Sequence, residues 1–292
     1  MAKTISIYGK GGSGKSMVAC NLSVQFARRG SRTLQIGCDP KHDSTRALTG
    51  GRRIATLLDV LQSGLDKREA VVPREAFLVE GLEGVGCVET GGPESGAGCA
   101  GLGIVSGFRL LDKQGVPDDF DVLVMDVLGD VVCGGFAMPL TRGLAGRVVI
   151  VVSDTLMSMY SANNIARAVR RYRRNGNGLA GLVVNAVRRP DRRTELEAFA
   201  VRLGTRILLE IPFAEEIAEA ERRGVPVSVH ARGGALDRGF ARLARTLWTV
   251  DPLRCPEPTP MSDDEWDEFA RGLGAPRALG RRPGRRSRDG TG

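Results

Sequence analysis

Short apolar runs alternate with longer amphipathic stretches along most of the chain. The short runs are rich in β-branched residues and predict strands, whereas the amphipathic stretches predict helices. Val148–Val152 is apolar at every position, as expected of a strand that is buried on both faces of a sheet. The repeated alternation is typical of βαβ units, so the predicted fold is an α/β protein with a mostly parallel, doubly wound sheet flanked by helices.

The boundaries of these elements follow from where each pattern begins and ends. The predicted strands are Thr4–Tyr8, Thr33–Gly37, Val85–Glu89, Val122–Asp126, Val148–Val152, Leu182–Val187 and Ile207–Ile211. The predicted helices lie near Lys15–Arg29, Gly103–Lys113, Met159–Arg174, Glu195–Leu203, Glu215–Arg223 and Leu236–Val250.

The pattern changes after Val250. Prolines at positions 252, 256, 258 and 260 predict an extended connector, and Ser262 followed by three acidic residues predicts the capped start of a short helix. Glycine, proline and arginine dominate the end of the chain, which favours disorder. The predicted division is a P-loop domain over 1–250, a connector with a short acidic helix over 251–272, and an arginine-rich tail over 273–292.

The net charge of +8 says little about the folded part of the chain, because most of it lies at one end of the sequence. Between Arg271 and Gly292 there are seven arginines and one aspartate, so most of the excess charge belongs to the tail. The remainder of the chain is close to neutral, and nucleic acid is not expected as a partner.

The segment Gly9–Ser16, GKGGSGKS, matches the complete Walker A pattern and stands between a predicted strand and a predicted helix. Its glycines allow backbone N–H groups to surround phosphate oxygens. We expect Lys15 to contact the β- and γ-phosphates and Ser16 to bind Mg²⁺. The nucleotide-binding residues predicted in this loop are Gly9, Lys10, Gly11, Gly12, Ser13, Gly14, Lys15 and Ser16.

The position of this loop bears on where the protein works. A functional loop at residue 9 leaves no room for a signal peptide before it, and no apolar run approaches the roughly 18 residues of a membrane span. We therefore expect a cytoplasmic protein without membrane attachment. Its six cysteines are then not expected to form a disulfide framework.

Acidic residues follow two of the predicted strands, at the edge where open α/β sheets place their sites. Asp39 and Asp43 follow one strand, and Asp126 and Asp130 end or follow another. Together with the Walker A loop, these carboxylates are candidates for the Mg²⁺ and water chemistry of nucleotide hydrolysis.

The cysteines lack any C-x-x-C pair, which argues against a zinc ribbon or a ferredoxin-type cluster within one chain. Cys99 and Cys133 stand in glycine-rich segments that a bulky cluster could approach. A [4Fe–4S] cluster needs four thiolates, so two cysteines per chain would suit a twofold dimer. The residue types alone do not select this pair. The others are Cys20, Cys38 and Cys87, which are expected in the core, and Cys255 in the connector.

Five segments carry a resemblance to a known family: YGKGGSGKS from Tyr8, GCDPKHDST from Gly37, GGPESGAGCAG from Gly91, DVLGDVVCGGFAM from Asp126 and YSANNI from Tyr160. In this order, over about residues 3 to 270, they resemble the nitrogenase iron protein and its relatives in nitrogenase-like reductases. Lys10 resembles the second lysine of the deviant Walker A loop found in this group and in positioning ATPases.

The resemblance implies a homodimer bridged by one [4Fe–4S] cluster, with Cys99 and Cys133 of each subunit as ligands. It implies that Lys10 acts across the interface and that Asp39, Asp43, Asp126 and Asp130 belong to two segments that sense the γ-phosphate. Asn185 matches an asparagine that contacts adenine. Met17 departs from the family, since it replaces the hydroxyl residue that usually follows Ser16, but its backbone N–H remains available to phosphate.

The implied activity is that of an ATP-dependent oxidoreductase component. It would couple MgATP hydrolysis to the transfer of one electron to a catalytic nitrogenase-like α/β component. A low-potential donor such as ferredoxin or flavodoxin would reload the cluster.

Several positions depart from the nitrogenase iron protein. Leu102 replaces an arginine of the docking surface, His42 matches the tetrapyrrole-reducing branch, and Ala214 replaces an acidic residue near the predicted base site. These departures favour a nitrogenase-like reductase. Dinitrogen, a tetrapyrrole and a small organosulfur compound all stay open as substrates, as do the base and ribose contacts near Pro212.

The rival interpretation is a positioning ATPase that binds DNA or membrane, which would also explain Lys10. It gives no purpose to Cys99 and Cys133, and the arginine tail lacks the apolar face of a membrane-targeting helix. A cluster-carrying ATPase is a weaker rival, because such proteins usually carry a C-x-x-C pair.

Overall fold

The computed structural model describes residues 2–39, 41–66, 72–92, 100–127, 129, 138–187 and 190–274. The chain divides into two compact units, Met1–Pro260 and Met261–Gly292. Four of the sequence predictions lie outside the described residues, namely those for Cys99, Asp130 and Cys133 and for the tail after residue 274.

One sheet runs through the first unit. Its strands are β1 (Lys3–Tyr8), β2 (Thr33–Cys38), β3 (Val79–Glu80), β4 (Gly86–Glu89), β5 (Val122–Val127), β6 (Arg147–Val152), β7 (Gly178–Val187) and β8 (Ile207–Pro212). Their order across the sheet is β3-β4-β2-β5-β1-β6-β7-β8. β3 pairs antiparallel with β4, and every other pairing is parallel. The predicted mostly parallel sheet is therefore confirmed.

Helices connect and cover the strands. They are α1 (Lys15–Arg28), α2 (Leu57–Asp66), α3 (Ala100–Lys113), α4 (Met138–Thr141), α5 (Leu156–Arg171), α6 (Pro190–Arg202), α7 (Glu215–Arg222), α8 (Val227–His230), α9 (Ala235–Thr249) and, in the second unit, α10 (Asp263–Gly274). No helix among these is long and apolar enough to cross a membrane within the part of the chain that is described.

α1 packs against the centre of the sheet and positions the site. Val18, Leu22 and Phe26 of this helix join one buried cluster with Ile5 and Ile7 of β1. The same cluster includes apolar side chains of α9, so α1 packs against both the sheet and α9. The strand and helix that flank the Walker A loop are thus both held by core packing.

The predicted strands are all present, but the prediction for β7 begins four residues late, at Leu182 instead of Gly178. Two glycines hide this start, because glycine carries no side chain to show the strand pattern. At Gly178 the carbonyl oxygen of Pro252 occupies the space of a side chain, since a Cβ atom would lie 2.0 Å from it. The short elements β3, α2, α4 and α8 were also missed.

The stretch after α9, up to Pro260, is part of the first unit and is bonded to other elements of that unit. Arg170 forms an ion pair with Glu257 at 2.8 Å, and the Thr259 N–H donates to the Leu203 carbonyl at 2.9 Å. In the second unit the prediction that Ser262 caps a helix is confirmed. Glu265 N–H donates to Ser262 Oγ at 3.3 Å, and Ser262 N–H donates to Glu265 Oε2 at 2.8 Å, which is a capping box.

Candidate functional site

The Walker A loop connects β1 to α1 at the carboxyl edge of the sheet. Gly9, Gly12 and Gly14 have φ angles of 147°, 78° and 92°, a region that side chains disfavour. A Cβ atom at Gly9 would also lie 2.3 Å from the Val151 carbonyl oxygen in β6. The loop is closed by a hydrogen bond from Ser13 N–H to the Lys10 carbonyl at 3.1 Å. Glycine is therefore favoured by conformation at all three positions and required by space as well at Gly9.

Asn185, at the end of β7, holds the loop from its other side. Its Nδ2 donates to the Ser13 carbonyl at 2.8 Å. A Cβ atom at Gly14 would lie only 2.1 Å from the same nitrogen. The structure thus brings Asn185 to the phosphate loop, a contact that its predicted role beside adenine did not include.

The two lysines of the loop differ in exposure. Lys15 is 8% exposed, and its Nζ donates to the Lys10 carbonyl at 3.4 Å. Lys10 is half-buried, and its neighbours Gly11 and Gly12 are exposed. Lys15 is placed at the loop itself, whereas Lys10 lies on the rim.

Ser16 and Asp126 meet beneath the loop. Ser16 Oγ donates to Asp126 Oδ2 at 2.6 Å, which joins the start of α1 to the end of β5. Asp126 is 2% exposed, and its Oδ1 is buried without a hydrogen-bond partner among the described residues. Burial raises the pKa of Asp126, and the Ser16 hydrogen bond, the Lys15 charge and Ser44 oppose this. A serine hydroxyl beside a buried, incompletely paired carboxylate fits a Mg²⁺ ion.

Asp39 and Asp43 lie after β2 at the same edge. Asp39 is half-buried and accepts a hydrogen bond from the Lys41 N–H at 2.9 Å, and Asp43 is exposed. Asp39 lies near enough to Asp126 for its charge to contribute to the raised pKa. His42, between them, has a φ of 46°, so the backbone turns sharply here. The structure places both carboxylates around the loop without a direct bond to Ser16.

Two residues of the site were missed by the sequence analysis. Gly129 packs on the Walker A backbone, because its Cβ atom would lie 1.8 Å from the Gly9 carbonyl oxygen. Glu89 is fully buried at the end of β4 and binds Thr45. The glycine after Asp126 could have been noticed as a close-approach position. Glu89 could have been noticed by the signal that marked Asp126, because each is an acidic residue at the end of a predicted strand.

A cleft of about 880 Å³ opens beside the loop. Its size is that of a small-molecule site. Phe213 on its wall is 69% exposed. Its lining includes predicted residues of the nucleotide site, namely Gly12, Gly14, Ser16, Met17, Asp43 and Asn185, and Ala214 near the predicted base site. The lining residues that were not predicted include Arg46, Phe213, Glu221, Arg222, Arg223 and Val227. The cleft, the glycine loop and Ser16 with Asp126 together fit MgATP.

The described cysteines are poor candidates for metal ligands. Cys20, Cys38 and Cys87 are almost completely buried in the core, as predicted, and Cys255 is 7% exposed. Burial is the largest cause of a raised pKa at all four thiols, to about 12 at Cys87. The described part of the chain holds no cluster of three or more His, Cys, Asp or Glu residues that could bind a metal ion.

Comparison with known sequences gives a consistent result. Residues 3–274 match the model of a family described as 4Fe-4S iron sulfur cluster binding proteins, NifH/frxC family. The nitrogenase iron protein of Methanospirillum hungatei is 40% identical, over 92% of this chain and 95% of that protein. The chlorophyllide reductase 35.5 kDa chain of Rhodobacter capsulatus is 43% identical, over 89% and 76% of the two chains.

Comparison with solved structures supports the fold alone. The septum site-determining protein MinD of Pyrococcus horikoshii, complexed with Mg-ADP, has a TM-score of 0.67 at 20% identity, over 85% of this chain and 97% of that chain. A ParA family ATPase from Chlorobium tepidum has a TM-score of 0.64 at 17% identity, over 84% and 99%. Both likenesses agree with the predicted P-loop NTPase fold.

Proposed function

The chain belongs to the NifH/frxC family of 4Fe–4S iron–sulfur cluster-binding proteins, and we propose that it is the iron-protein component of a nitrogenase-like reductase. It is an ATP-dependent oxidoreductase component whose cofactors are a [4Fe–4S] cluster and ATP. In our proposal it acts as a homodimer that shares one cluster, and it transfers single electrons to a catalytic α/β component.

The observation that carries the proposal is the 2.6 Å hydrogen bond from Ser16 to Asp126. Ser16 belongs to the nucleotide loop, and Asp126 begins the segment that leads to Cys133. A change at the γ-phosphate would reach this segment through one contact, as in other nucleotide switches. Lys15 and the loop N–H groups would hold the phosphates, Ser16 would bind Mg²⁺, and Asp39 and Asp43 would face the γ-phosphate.

The cluster assignment is supported by elimination. The four described thiols are buried with raised pKa values, and thiolates are the form that binds iron. Cys99 and Cys133 are the other two cysteines of the chain. With two ligands per subunit, one cluster per dimer follows from the four thiolates that a [4Fe–4S] cluster requires.

The proposal also defines the partners. The cluster supplies one electron at low potential. ATP binding and hydrolysis by this chain would control docking to the catalytic component, on which the substrate is reduced, and a ferredoxin or flavodoxin would return the electron. The substrate is therefore a property of the partner. The ATP requirement is consistent with a cytoplasmic location.

The test is iron analysis with matched cysteine variants, purified without oxygen. Wild-type protein should contain about four irons per dimer, and its reduced EPR signal should change on addition of MgATP. Cys99→Ser and Cys133→Ser should each lose the iron and the signal. Cys255→Ser, the matched control, should retain both, because its thiol is buried with a raised pKa.

Two results would contradict the proposal. Stoichiometric iron in Cys99→Ser or Cys133→Ser would overturn the ligand assignment. A wild-type protein that hydrolyses ATP but holds no cluster would overturn the proposal that this chain is a reductase component.

A further inference from the structure

Glu89 is the last residue of β4, and its side chain is fully buried. It lies beside Gly37 of β2, the strand that leads into segment 39–45. A Cβ atom at position 37 would lie 1.9 Å from Glu89 Oε2, so the carboxyl group fits only because residue 37 is glycine. The two neighbouring strands thus make a place for this acid at the edge where segment 39–45 leaves the sheet.

Thr45 attaches that segment to Glu89. Its backbone N–H and its hydroxyl both donate to Glu89 Oε1, at 2.6 and 2.7 Å. Thr45 is 2% exposed, and its carbonyl oxygen accepts from the N–H groups of Leu48 and Thr49 at 2.9 and 3.1 Å. The turn that ends segment 39–45 is therefore fixed to the sheet at one residue.

The carboxyl group of Glu89 is costly to bury. Its Oε2 finds no hydrogen-bond partner among the residues that the structure describes, and Asp126 and Asp43 nearby carry charge of the same sign. Burial raises the pKa of Glu89 to about 7, although the Thr45 hydrogen bonds oppose this. An incompletely paired acid beside a nucleotide site indicates a functional role, because packing alone would favour an apolar residue.

We propose that Glu89 is a positioning residue that acts through Thr45 to hold Asp39 and Asp43 of segment 39–45 in place for the γ-phosphate. The inference rests on the proposed function, because it requires that this segment face ATP. Glu89 itself touches no nucleotide. Its contribution is to the difference in affinity between MgATP and MgADP.

The experiment compares four variants of the full-length, cluster-loaded protein, three at threonines and one at Glu89. Thr45→Val removes the hydroxyl donor and keeps the shape, and Thr45→Ser keeps the hydroxyl. Thr33→Val makes the same change at a buried threonine at the start of β2, where the hydroxyl donates to the Ser31 carbonyl at 3.0 Å, away from Glu89. The dissociation constants of MgATP and MgADP are measured for each, with kcat and KM of ATP hydrolysis and the temperature of unfolding.

Thr45→Val should lower kcat and the preference for ATP over ADP by about tenfold, the effect of one charge-assisted hydrogen bond. MgADP binding should change less than about twofold, because ADP lacks the phosphate that the segment faces. Thr45→Ser and Thr33→Val should stay near wild type. Glu89→Gln, which keeps the shape and loses the charge, should reduce the ATP preference without lowering the temperature of unfolding at pH 8.

An ATP preference and kcat equal to wild type in Thr45→Val would overturn the inference. Equal losses in Thr45→Val and Thr45→Ser, or equal losses of MgATP and MgADP affinity, would overturn it too, because they indicate a general structural effect. Wild-type protein that binds no MgATP would overturn the proposed function as well, and is thereby distinguished from the other outcomes.

Discussion

Two buried carboxyl groups at the edge of the sheet differ in what compensates their burial. The positive charge of Lys15 and a hydrogen bond from Ser16 stabilise the buried carboxylate of Asp126, and a Mg²⁺ ion would add further positive charge. Among the described residues, Glu89 receives hydrogen bonds from Thr45 alone, and the charges around it that raise its pKa are negative. Asp126 is therefore suited to bind Mg²⁺ through its charge, whereas the charge of Glu89 destabilises the folded protein.

That cost predicts a pH dependence of stability. The pKa of Glu89 is raised from 4.5 to about 7 in the folded protein, so the native state holds its proton more tightly than the unfolded chain. Stability is then lost as the pH rises from about 4.5 through 7. Glu89→Gln should abolish this loss and gain up to about 3 kcal/mol over wild type at pH 8, with little difference near pH 4.5.

The measurement is the temperature of unfolding of both proteins from pH 5 to pH 8. Asp121→Asn is a control that should show no pH dependence in this range, because hydrogen bonds from Arg32 lower the pKa of Asp121 from 3.8. Its replacement should cost the same stability at every pH from 5 to 8, because Asp121 is ionised in both the folded and the unfolded chain there. A constant difference between Glu89→Gln and wild type across the range would contradict the assignment of the titrating group.

At the scale of elements, the Walker A loop is fixed by three strands besides its own. The carbonyl of Val151 in β6 lies under Gly9, Asn185 of β7 binds the loop at Ser13, and Gly129 packs on it after β5. Each contact is made by the end of a parallel strand, so the sheet order determines the shape of the loop. The effect of a loop substitution on MgATP binding should therefore depend on which strand end the added side chain contacts.

Gly14→Ala tests this dependence. The alanine would need a left-handed backbone, which costs about 1–2 kcal/mol, and its methyl group would meet Asn185 Nδ2. Gly12→Ala needs the same kind of backbone but has open space around the added methyl group. We expect Gly14→Ala to weaken MgATP binding by more than about tenfold and by clearly more than Gly12→Ala does.

The double variant Gly14→Ala/Asn185→Ala separates the backbone strain at position 14 from the steric clash of the added methyl group with Asn185. The loss of binding caused by Gly14→Ala should be smaller in the Asn185→Ala protein than in wild type, whereas the loss caused by Gly12→Ala should be the same in both. Calorimetric titration with MgATP measures each constant. Equal losses in the two glycine variants would mean that the contact with Asn185 does not matter.

At the scale of the whole molecule, the loop exposes part of itself at the sheet edge. Lys15 is buried in its own site, whereas Lys10 lies half-buried on the rim beside exposed glycines. A side chain in this position can reach outward to a second subunit. This arrangement is consistent with the proposed homodimer, in which two nucleotide sites would face each other.

Mixing two inactive variants tests that arrangement. Lys10→Ala and Lys15→Ala should each abolish ATP hydrolysis. If Lys10 acts across the interface, a mixed dimer holds one complete site, so an equal mixture should regain roughly a quarter of the wild-type rate. Steady-state hydrolysis after subunit exchange measures this. No recovery in a mixture proved to contain mixed dimers would place Lys10 in its own subunit's site.

Local patterns in the sequence determined much of this protein. The alternation of apolar runs with amphipathic stretches predicted the strands and the mostly parallel sheet. The Walker A loop and the capped helix at Ser262 were also read correctly from neighbouring residues, because turns and caps are formed within a few positions.

Only the tertiary structure decided which distant residues complete the site. Glu89 meets Thr45 across 44 positions, and Asn185 meets Ser13 across 172, so no local pattern records either contact. Positions 178 and 129 require glycine because the backbone of another segment lies against each, and the sequence does not show which segment that is. Sequence fixes what is formed between neighbours along the chain. Contacts between strand ends depend on the order of the strands in the sheet, which only the packed molecule establishes.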